Sequence, residues 1–406
     1  MEEKNLPLEG IKVIEIAAVV AAPTAGRMLA YYGADVIKAE TVGGDGLRIV
    51  GTSHHLPTSP GNNPLFDNFN AGKRLTAIDL KKPEGRQVLL KLLESADVFI
   101  ANTRMRSLEK LGLDYESLKE RFPRLIYAHF SGYGLKGEEK DRPGYDATAL
   151  WMRSGAVGDA GLEGQFPLRP PYAFGDIATA GYFLSGILAA LVARDRTGRG
   201  TRVETSLLNG GIWLNGPYVI CTQPAYGYSL PRGRYEPRNP FSDCYLCSDG
   251  VYICPTVKNY TSDRKMLARV FEMPELAEDP DLESIAAMTK AGKVPAVTRR
   301  LEEVIRQKTS EEWCRILMEN DIPNERMYHS YEVAADRQAW ANGYLEMVSY
   351  PDTETAVPVP PVQFSDYDTA EHRSVGEVGA DTEEILSEAG YSPEEIAHLR
   401  ECGAIR

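Results

Sequence analysis

Residues 11–48 read IKVIEIAAVVAAPTAGRMLAYYGADVIKAETVGGDGLR, and their pattern decides the fold. Lys12–Ala17 (KVIEIA) is apolar and partly β-branched, the composition of a buried strand. Pro23–Tyr32 follows as a helix, with Pro23 in its first turn and Gly33 just past its end. Asp35–Ala39 (DVIKA) returns to strand. Outward from this unit the alternation repeats. Leu75–Leu80 and Val98–Ala101 read as strands around a helix at Glu84–Glu94, whose apolar residues recur with the helical period. Tyr115–Arg121 is helical, Leu125–Phe130 is a strand, and Arg202–Ser206 closes the series after a long apolar helix. Strands separated by helices of ten or more residues form parallel β-α-β units, hence an open sheet with helices on both faces. The expected fold class is α/β, an open parallel Rossmann-like sheet in a large domain plus a smaller α+β domain.

The boundaries follow from where the alternation stops. Residues 1–206 form the large α/β domain. Residues 207–240, rich in Pro, Tyr and Gly, read as an irregular linker. Residues 241–330 form the small domain, opening with a hairpin over Phe241–Cys254 around Ser248-Asp249-Gly250 and continuing into helices near Lys265–Val270, Val297–Lys308 and Glu311–Asn320. Residues 331–349 are a second linker, and 350–406 a tail that completes the large domain. The tail carries a Pro-rich stretch (Val357–Val362) and two short helices, the second announced by Ser392 as N-cap, Pro393, Glu394 and Glu395, with Gly403 as its stop.

The chain has 406 residues, with 45 basic against 58 acidic side chains and a formal net charge of −13. That balance disfavours a nucleic-acid partner, which needs a basic surface, but permits a small polyanion held by a local cluster of Lys, Arg and helix N-termini. Six scattered cysteines are too few for a disulfide scaffold, and the first residues lack a secretory pattern, so the cytoplasm is the expected location. The apolar run Ile177–Ala193 approaches membrane-spanning length, yet it carries Thr179, Gly181, Ser185 and Gly186 and is flanked by charges. It is read as a buried core helix, with no membrane partner.

Several chemistries find little support. The first βα turn, Ala18 to Gly26, contains no G-x-G-x-x-G, so the dinucleotide reading fails, although its small residues still let a ligand approach. Gly43-Gly44-Asp45-Gly46 precedes no P-loop Lys and reads as a turn. Cys244 and Cys247 are three apart and face opposite sides of a strand; no metal site is expected. The six histidines form no metal pattern, and there is no G-x-S-x-G elbow. What remains is Asp176, in Phe174-Gly175-Asp176-Ile177 directly before the long apolar run. It is either an N-cap, the commoner role, or a carboxylate held ionised by a helix N-terminus as a nucleophile towards acyl carbon. Arg142-Pro143-Gly144-Tyr145-Asp146 places a cation, a phenol and an acid in one loop, by itself more often a structural turn.

Four segments, in order and spacing, resemble the class III CoA-transferases, the CaiB/BaiF or formyl-CoA transferase-like family. They are residues 11–48, NAGKRLTAIDLKKPEG (70–85), RPGYDATALWMRSG (142–155) and FGDIATAGYFLSGILAALVARDRTGRGTRVETSL (174–207). The resemblance runs over essentially the whole chain. It implies a CoA-binding large domain, no permanently bound cofactor, acyl-CoA and small carboxylic acids as substrates, and a ring-shaped interlocked homodimer. It implies that Asp176 is the nucleophile, passing through an aspartyl anhydride and an aspartyl-CoA thioester, with an oxyanion hole of backbone N–H groups. By the same resemblance the CoA contacts fall at Val20 and Ala21, at Ile78, Asp79, Leu80 and Lys81, at Asn102, Thr103 and Arg104, at Lys110, and at Arg142, Tyr145 and Asp146, with Lys81, Arg104 and Lys110 as phosphate partners.

Two departures stand out. Thr41 occupies a position where some relatives carry arginine near the adenine. The glycine flap of formyl-CoA transferases is replaced by Arg232–Phe241 (RGRYEPRNPF), whose arginines could bind an acceptor carboxylate. The related α-methylacyl-CoA racemases carry His before Asp where this chain has Tyr145 before Asp146, and tyrosine is a poor base at neutral pH. Asn239-Pro240-Phe241 and Ala339–Leu345 look most like the (R)-2-hydroxyacyl-CoA transferases of amino-acid-fermenting anaerobes, which move CoA between an enoate or aryl-acrylate and a 2-hydroxy acid. Formyl-CoA:oxalate and carnitine CoA-transferases are the alternatives. A CoA-binding protein without turnover is the reading of a different class.

Overall fold

In the computed structural model, residues 4–168 and 170–406 are described. The chain forms two compact units. The larger runs over Met1–Val157, Arg169–Ile220 and Arg337–Arg406, and the smaller over Gly158–Leu168 and Cys221–Asp336.

The larger unit is built on six parallel strands, β1 (Lys12–Glu15), β2 (Asp35–Glu40), β3 (Arg74–Ala77), β4 (Val98–Ala101), β5 (Ile126–Ser131) and β6 (Arg202–Ser206), in the order β3-β2-β1-β4-β5-β6. Ile14 lies in register between Ile37 and Phe99. Side chains alternate across the strands, as the pleat demands. Val13, Val36, Ile100 and Phe130 pack on one face against helix α1 (Ala21–Tyr31) and the long helix Phe174–Thr197. Ile14, Ile37, Phe99 and Tyr127 pack on the other, against Pro83–Leu93 and the C-terminal helices Thr382–Glu388 and Pro393–Glu401. The chain builds outward from β1 to β3, then returns to start β4 on the other side. This reversal opens a crevice at the carboxyl ends of β1 and β4, where ligands of such sheets bind.

The α/β fold class and the parallel sheet match the expectation. The long helix does so only on one face. Phe183, Leu184, Ile187 and Leu191 are buried, and Arg194 is buried and paired to Asp97 at 2.6 Å, whereas Ile177, Tyr182 and Val192 are exposed. Among the described residues it is the one helix long and apolar enough to cross a membrane. β3 ends at Ala77 rather than Leu80, because Ile78 leaves the sheet to bridge Ile405 of the tail.

The segments expected as linkers carry regular structure. Within 207–240, Leu207–Leu214 is a helix capped by Ser206, and Gly216–Cys221 is another. Ser206 ends a strand and caps a helix at once, which the Gly- and Pro-rich run that follows conceals. Within 331–349, Arg337–Ala341 is helical and Leu345–Tyr350 pairs antiparallel with Thr353–Pro358, so the Pro-rich stretch begins as a strand.

In the smaller unit Tyr245–Leu246 and Tyr252–Pro255 form the expected hairpin, to which Asn324–Arg326 adds a third strand. Helices Tyr260–Val270, Val294–Ile305 and Ser310–Glu319 close over a core centred on Phe241, Phe271 and Trp313.

Candidate active site

A cavity of about 260 Å³ opens at the reversal of the sheet. Four segments wall it. The Ala18–Ala21 turn follows β1, Asn102–Met105 follows β4, Ser131-Gly132 ends β5, and Arg142–Tyr145 comes from the following loop, with Asp176 at the start of the long helix. The two loops after β5 touch backbone to backbone. A Cβ on Gly132 would lie 2.8 Å from the Cα of Gly144, so neither position admits a side chain without movement.

Asp176 is not the N-cap. Ala173 caps the long helix in a left-handed conformation (φ +60°) and provides no side-chain cap bond, leaving Asp176 in the first turn with its carboxylate free of capping. Burial, and secondarily the charge of Asp146, push the Asp176 carboxyl up to about 7. Asp146 packs beneath it. A Cβ on Gly175 would lie 2.3 Å from Asp146 Oδ1, which explains why glycine precedes Asp176. Burial also raises the Asp146 carboxyl, against the opposing pull of the Trp151 indole and the backbone N–H groups of Asp176 and Gly175. None of these donors reaches hydrogen-bond geometry with the buried Oδ1, and the Trp151 Nε1 is likewise buried without a partner. Two acids thus share a poorly solvated site, and among the described residues no cation acts on Asp176.

The turn after β1 is strained and clamped. Val19 is β-branched yet has φ +69°, a region such residues rarely adopt. Its N–H donates to both oxygens of Asp45, at 3.2 Å each. Asn102 accepts from Ala18 N–H at 3.0 Å and donates to Ala18 O at 2.7 Å. Beneath the turn lies a buried charge network. Lys38 donates to Ala17 O at 2.6 Å and pairs with Glu15 at 3.2 Å and Asp45 at 3.0 Å. Lys73 bonds both oxygens of Glu15, Pro23 O and Asn70 Oδ1. Arg48 binds Glu40 through two hydrogen bonds. The clamp leaves the N–H groups of Val20 and Ala21, at the N-terminus of α1, without a hydrogen-bond partner among the described residues at the cavity wall. They are suited to stabilise a developing oxyanion.

The structure brings Val20, Ala21, Asn102, Thr103, Arg104, Arg142, Tyr145 and Asp176 to one cavity. Asp146 stands directly behind it. Ile78, Asp79, Leu80 and Lys81 do not line it: Ile78 bridges Ile405, Asp79 N–H donates to Ala404 O, and Lys81 is exposed. Lys110 lies exposed in the last turn of Met105–Leu111, outside the cavity. Arg142 pairs with Glu139 and stacks over Tyr133, and the Tyr145 ring is exposed. Of the arginines in Arg232–Phe241, Arg234 is taken by Asp243 at 2.7 Å and Glu302 at 2.8 Å.

Sequence reasoning missed His129 and Lys140, which also line the cavity. His129 is 1% exposed, and its Nε2 bonds Thr103 O at 2.8 Å while Nδ1 has no partner. Burial lowers its pKa, so the ring is neutral at physiological pH. Its signal was present, a lone histidine near the carboxyl end of an apolar strand. Among the described residues no group of three or more His, Cys, Asp or Glu is arranged to hold a metal ion.

The chain matches the family described as CoA-transferase family III over residues 8–382. It is 34% identical over 400 residues to (R)-2-hydroxy-4-methylpentanoate CoA-transferase of Clostridioides difficile, covering 98% of this chain and 99% of that protein. It is 35% identical over 403 residues to cinnamoyl-CoA:phenyllactate CoA-transferase of Clostridium sporogenes, covering 98% and 97%. The crystal structure of a CaiB/BaiF family protein from Brucella suis superposes with a TM-score of 0.81 at 30% identity, over 95% of this chain and 100% of that one. The chain therefore belongs to CoA-transferase family III and is an enzyme of the transferase class acting on CoA thioesters.

Proposed function

We propose that the protein moves CoA from an enoyl-, aryl-acryloyl- or 2-hydroxyacyl-CoA to a 2-hydroxy carboxylic acid, with Asp176 as the covalent carrier. The observation that carries this reading is a desolvated carboxylate, unpaired by any cation among the described residues, in a cavity whose wall also offers backbone N–H groups free of described partners.

An Asp176 oxygen attacks the thioester carbon, and the tetrahedral intermediate collapses with loss of CoA thiolate to give a mixed anhydride. The thiolate attacks the aspartyl carbonyl, releasing the donor carboxylate and leaving an aspartyl-CoA thioester. A carboxylate oxygen of the acceptor attacks that thioester and expels CoA thiolate, forming a second anhydride. The thiolate then attacks the acceptor acyl carbon and frees Asp176. One thioester replaces another, so the exchange is nearly isoenergetic and draws on no other energy source. Val20 and Ala21 N–H groups stabilise each oxyanion, and the buried setting keeps water from the anhydrides. Lys140 and Arg104 on the cavity wall, with Lys81 and Lys110 on the exposed surface, supply positive charge for the CoA phosphates.

The names of the two relatives support a 2-hydroxy acid as acceptor. Tyr145, standing where a racemase base would be needed, supports transfer over racemisation. On the same reading the enzyme works in the cytoplasm of an amino-acid-fermenting cell as an interlocked homodimer, and the exposed Tyr182 and Val192 of the long helix are covered by protein rather than lipid. Intact-mass measurement after mixing with an acyl-CoA tests the central step. An adduct of CoA mass on Asp176, cleaved by hydroxylamine and formed only with an acyl-CoA present, is the expected result. A chain that binds CoA, never carries it covalently and loses nothing on Asp176→Asn is a binding protein instead. Pairing acyl-CoA donors with a panel of 2-hydroxy acids then identifies the acceptor.

A further inference from the structure

A second cavity in the larger unit, of about 460 Å³, shares no wall residue with the one that holds Asp176. Met28, Phe69, Ile177, Ala178 and the Val357–Pro361 segment make most of its wall apolar. Four of its five polar side chains are engaged or neutral. Thr24 donates to Val20 O, Asp67 accepts from the Tyr350 hydroxyl at 3.1 Å and from Val375 N–H at 3.0 Å, and Asn68 carries no charge. His372 lies between Asp67 at 3.9 Å and Glu346 at 3.4 Å.

Arg27 is the exception. It is 5% exposed, lines the cavity, and makes no hydrogen bond or ion pair with any described residue; its one contact of note is the Tyr31 ring, 5.6 Å from the guanidinium carbon. Glu346 and Asp67 act on it only through space. A guanidinium carries five N–H donors in a planar fork that matches a carboxylate. Buried without an acceptor among the described residues, it forfeits much of its hydration, and the charges of Glu346 and Asp67 offset only part of that loss. A cavity of this size falls within the roughly 300–1,000 Å³ of small-molecule sites, and apolar walls with a few convergent polar groups, here Arg27, Asp67 and His372, are what such sites present.

We propose that this cavity binds an apolar monocarboxylic acid, its carboxylate paired with Arg27 and its chain packed against Met28, Phe69, Ile177 and the proline segment. The inference goes beyond the transfer reaction: an acid held here is bound at its carboxylate and is not acylated, and Asp176 takes no part.

Calorimetric titration of the full-length protein with hexanoate and 3-phenylpropanoate, and with hexan-1-ol as the uncharged control, tests it. Saturable binding of the acids but not the alcohol is expected. It should persist in Asp176→Asn and weaken tenfold or more in Arg27→Met. A Cβ on Gly181 meets nothing within 4 Å, so Gly181→Leu fills the cavity without touching Arg27 and should weaken binding equally. Thermal melting of both variants checks that they fold. The proposal is overturned if neither acid binds, if folded Arg27→Met and Gly181→Leu bind as wild type, or if Asp176→Asn abolishes binding, which would put the acid in the other cavity. A crystal structure with a second copy's side chain on Arg27 would overturn it too.

Discussion

Two groups of buried charge lie close together in the larger unit and are built on opposite terms. Beneath the turn after β1, three acids (Glu15, Glu40, Asp45) meet three bases (Lys38, Lys73, Arg48), and each head group is ion-paired or hydrogen-bonded. At the cavity, Asp146 and Asp176 face each other, no cation among the described residues acts on Asp176, and Asp146 Oδ1 is buried without a hydrogen-bond partner. The paired group obeys the rule that buried charge survives when compensated. The unpaired group breaks it, and such violations concentrate where a protein does chemistry. Scaffold and site are thus distinguished by how completely their charges are satisfied, not by how deeply they are buried.

Removing the unpaired carboxylate is the sharpest way to test that contrast. Asp176→Asn should lower CoA transfer on the order of 10³-fold or more, since a nucleophile's deletion removes the whole covalent route. CoA binding should survive, as a titration would show; a variant that still exchanges CoA refutes the assignment.

The paired group should answer in stability instead. Glu15→Gln takes from Lys73 its ion-paired carboxylate and leaves Lys38 only Asp45, and breaking a buried pair this way costs about 3–5 kcal/mol, visible as a lower denaturation midpoint. An unchanged midpoint would show that the network is not structural. Asp45→Asn sits between the two groups. With Val19 less firmly held, the N–H donors of Val20 and Ala21 drift, and a shift near 1 Å can lower activity about 10²-fold. Steady-state kinetics on a folded variant decides it.

The smaller effects are in pH. The Asp176 carboxyl stands at about 7 in the folded chain against an ordinary 3.8, so its burial weakens the fold as pH rises through that interval. Asp176→Asn should therefore melt higher than wild type at pH 8, and the gap should close at pH 4 or below. Transfer by the wild type should rise with pH through about 7 as the nucleophile ionises. In Asp146→Asn that midpoint should move down, because a like charge is gone, but only partly, since burial is the larger cause. A midpoint that does not move would show that the two carboxylates are uncoupled.

Much of this was legible in the chain. Pro23, Gly33 and the apolar runs around them fix β1, α1 and β2, and the Gly-Asp pair before the longest apolar run singles out Asp176, whose reading as nucleophile comes from the family resemblance and not from the local pattern. The bonds that make the site were less so. Glu15 and Lys38 look like ordinary polar positions in two strands until the parallel register sets them opposite each other. Lys73 joins them from 58 residues away, a meeting no local pattern announces. Ile78–Lys81 lie outside the cavity for a topological reason. β3 is the edge strand, two places from β1, and the chain's own tail lies against its end. Asn324–Arg326 is a strand of three polar residues that only its neighbour reveals.

The crossing of Gly132 and Gly144 has a consequence for how the pocket is kept in shape. Where two peptide chains meet with no side groups between them, the joint has no slack, and the segments on either side move as one piece. An added methyl at the joint would force the two segments apart, and one of them carries Arg142 and Tyr145 of the cavity wall. The width of the opening through which an acyl group must pass is therefore set by two carbon atoms that are not there.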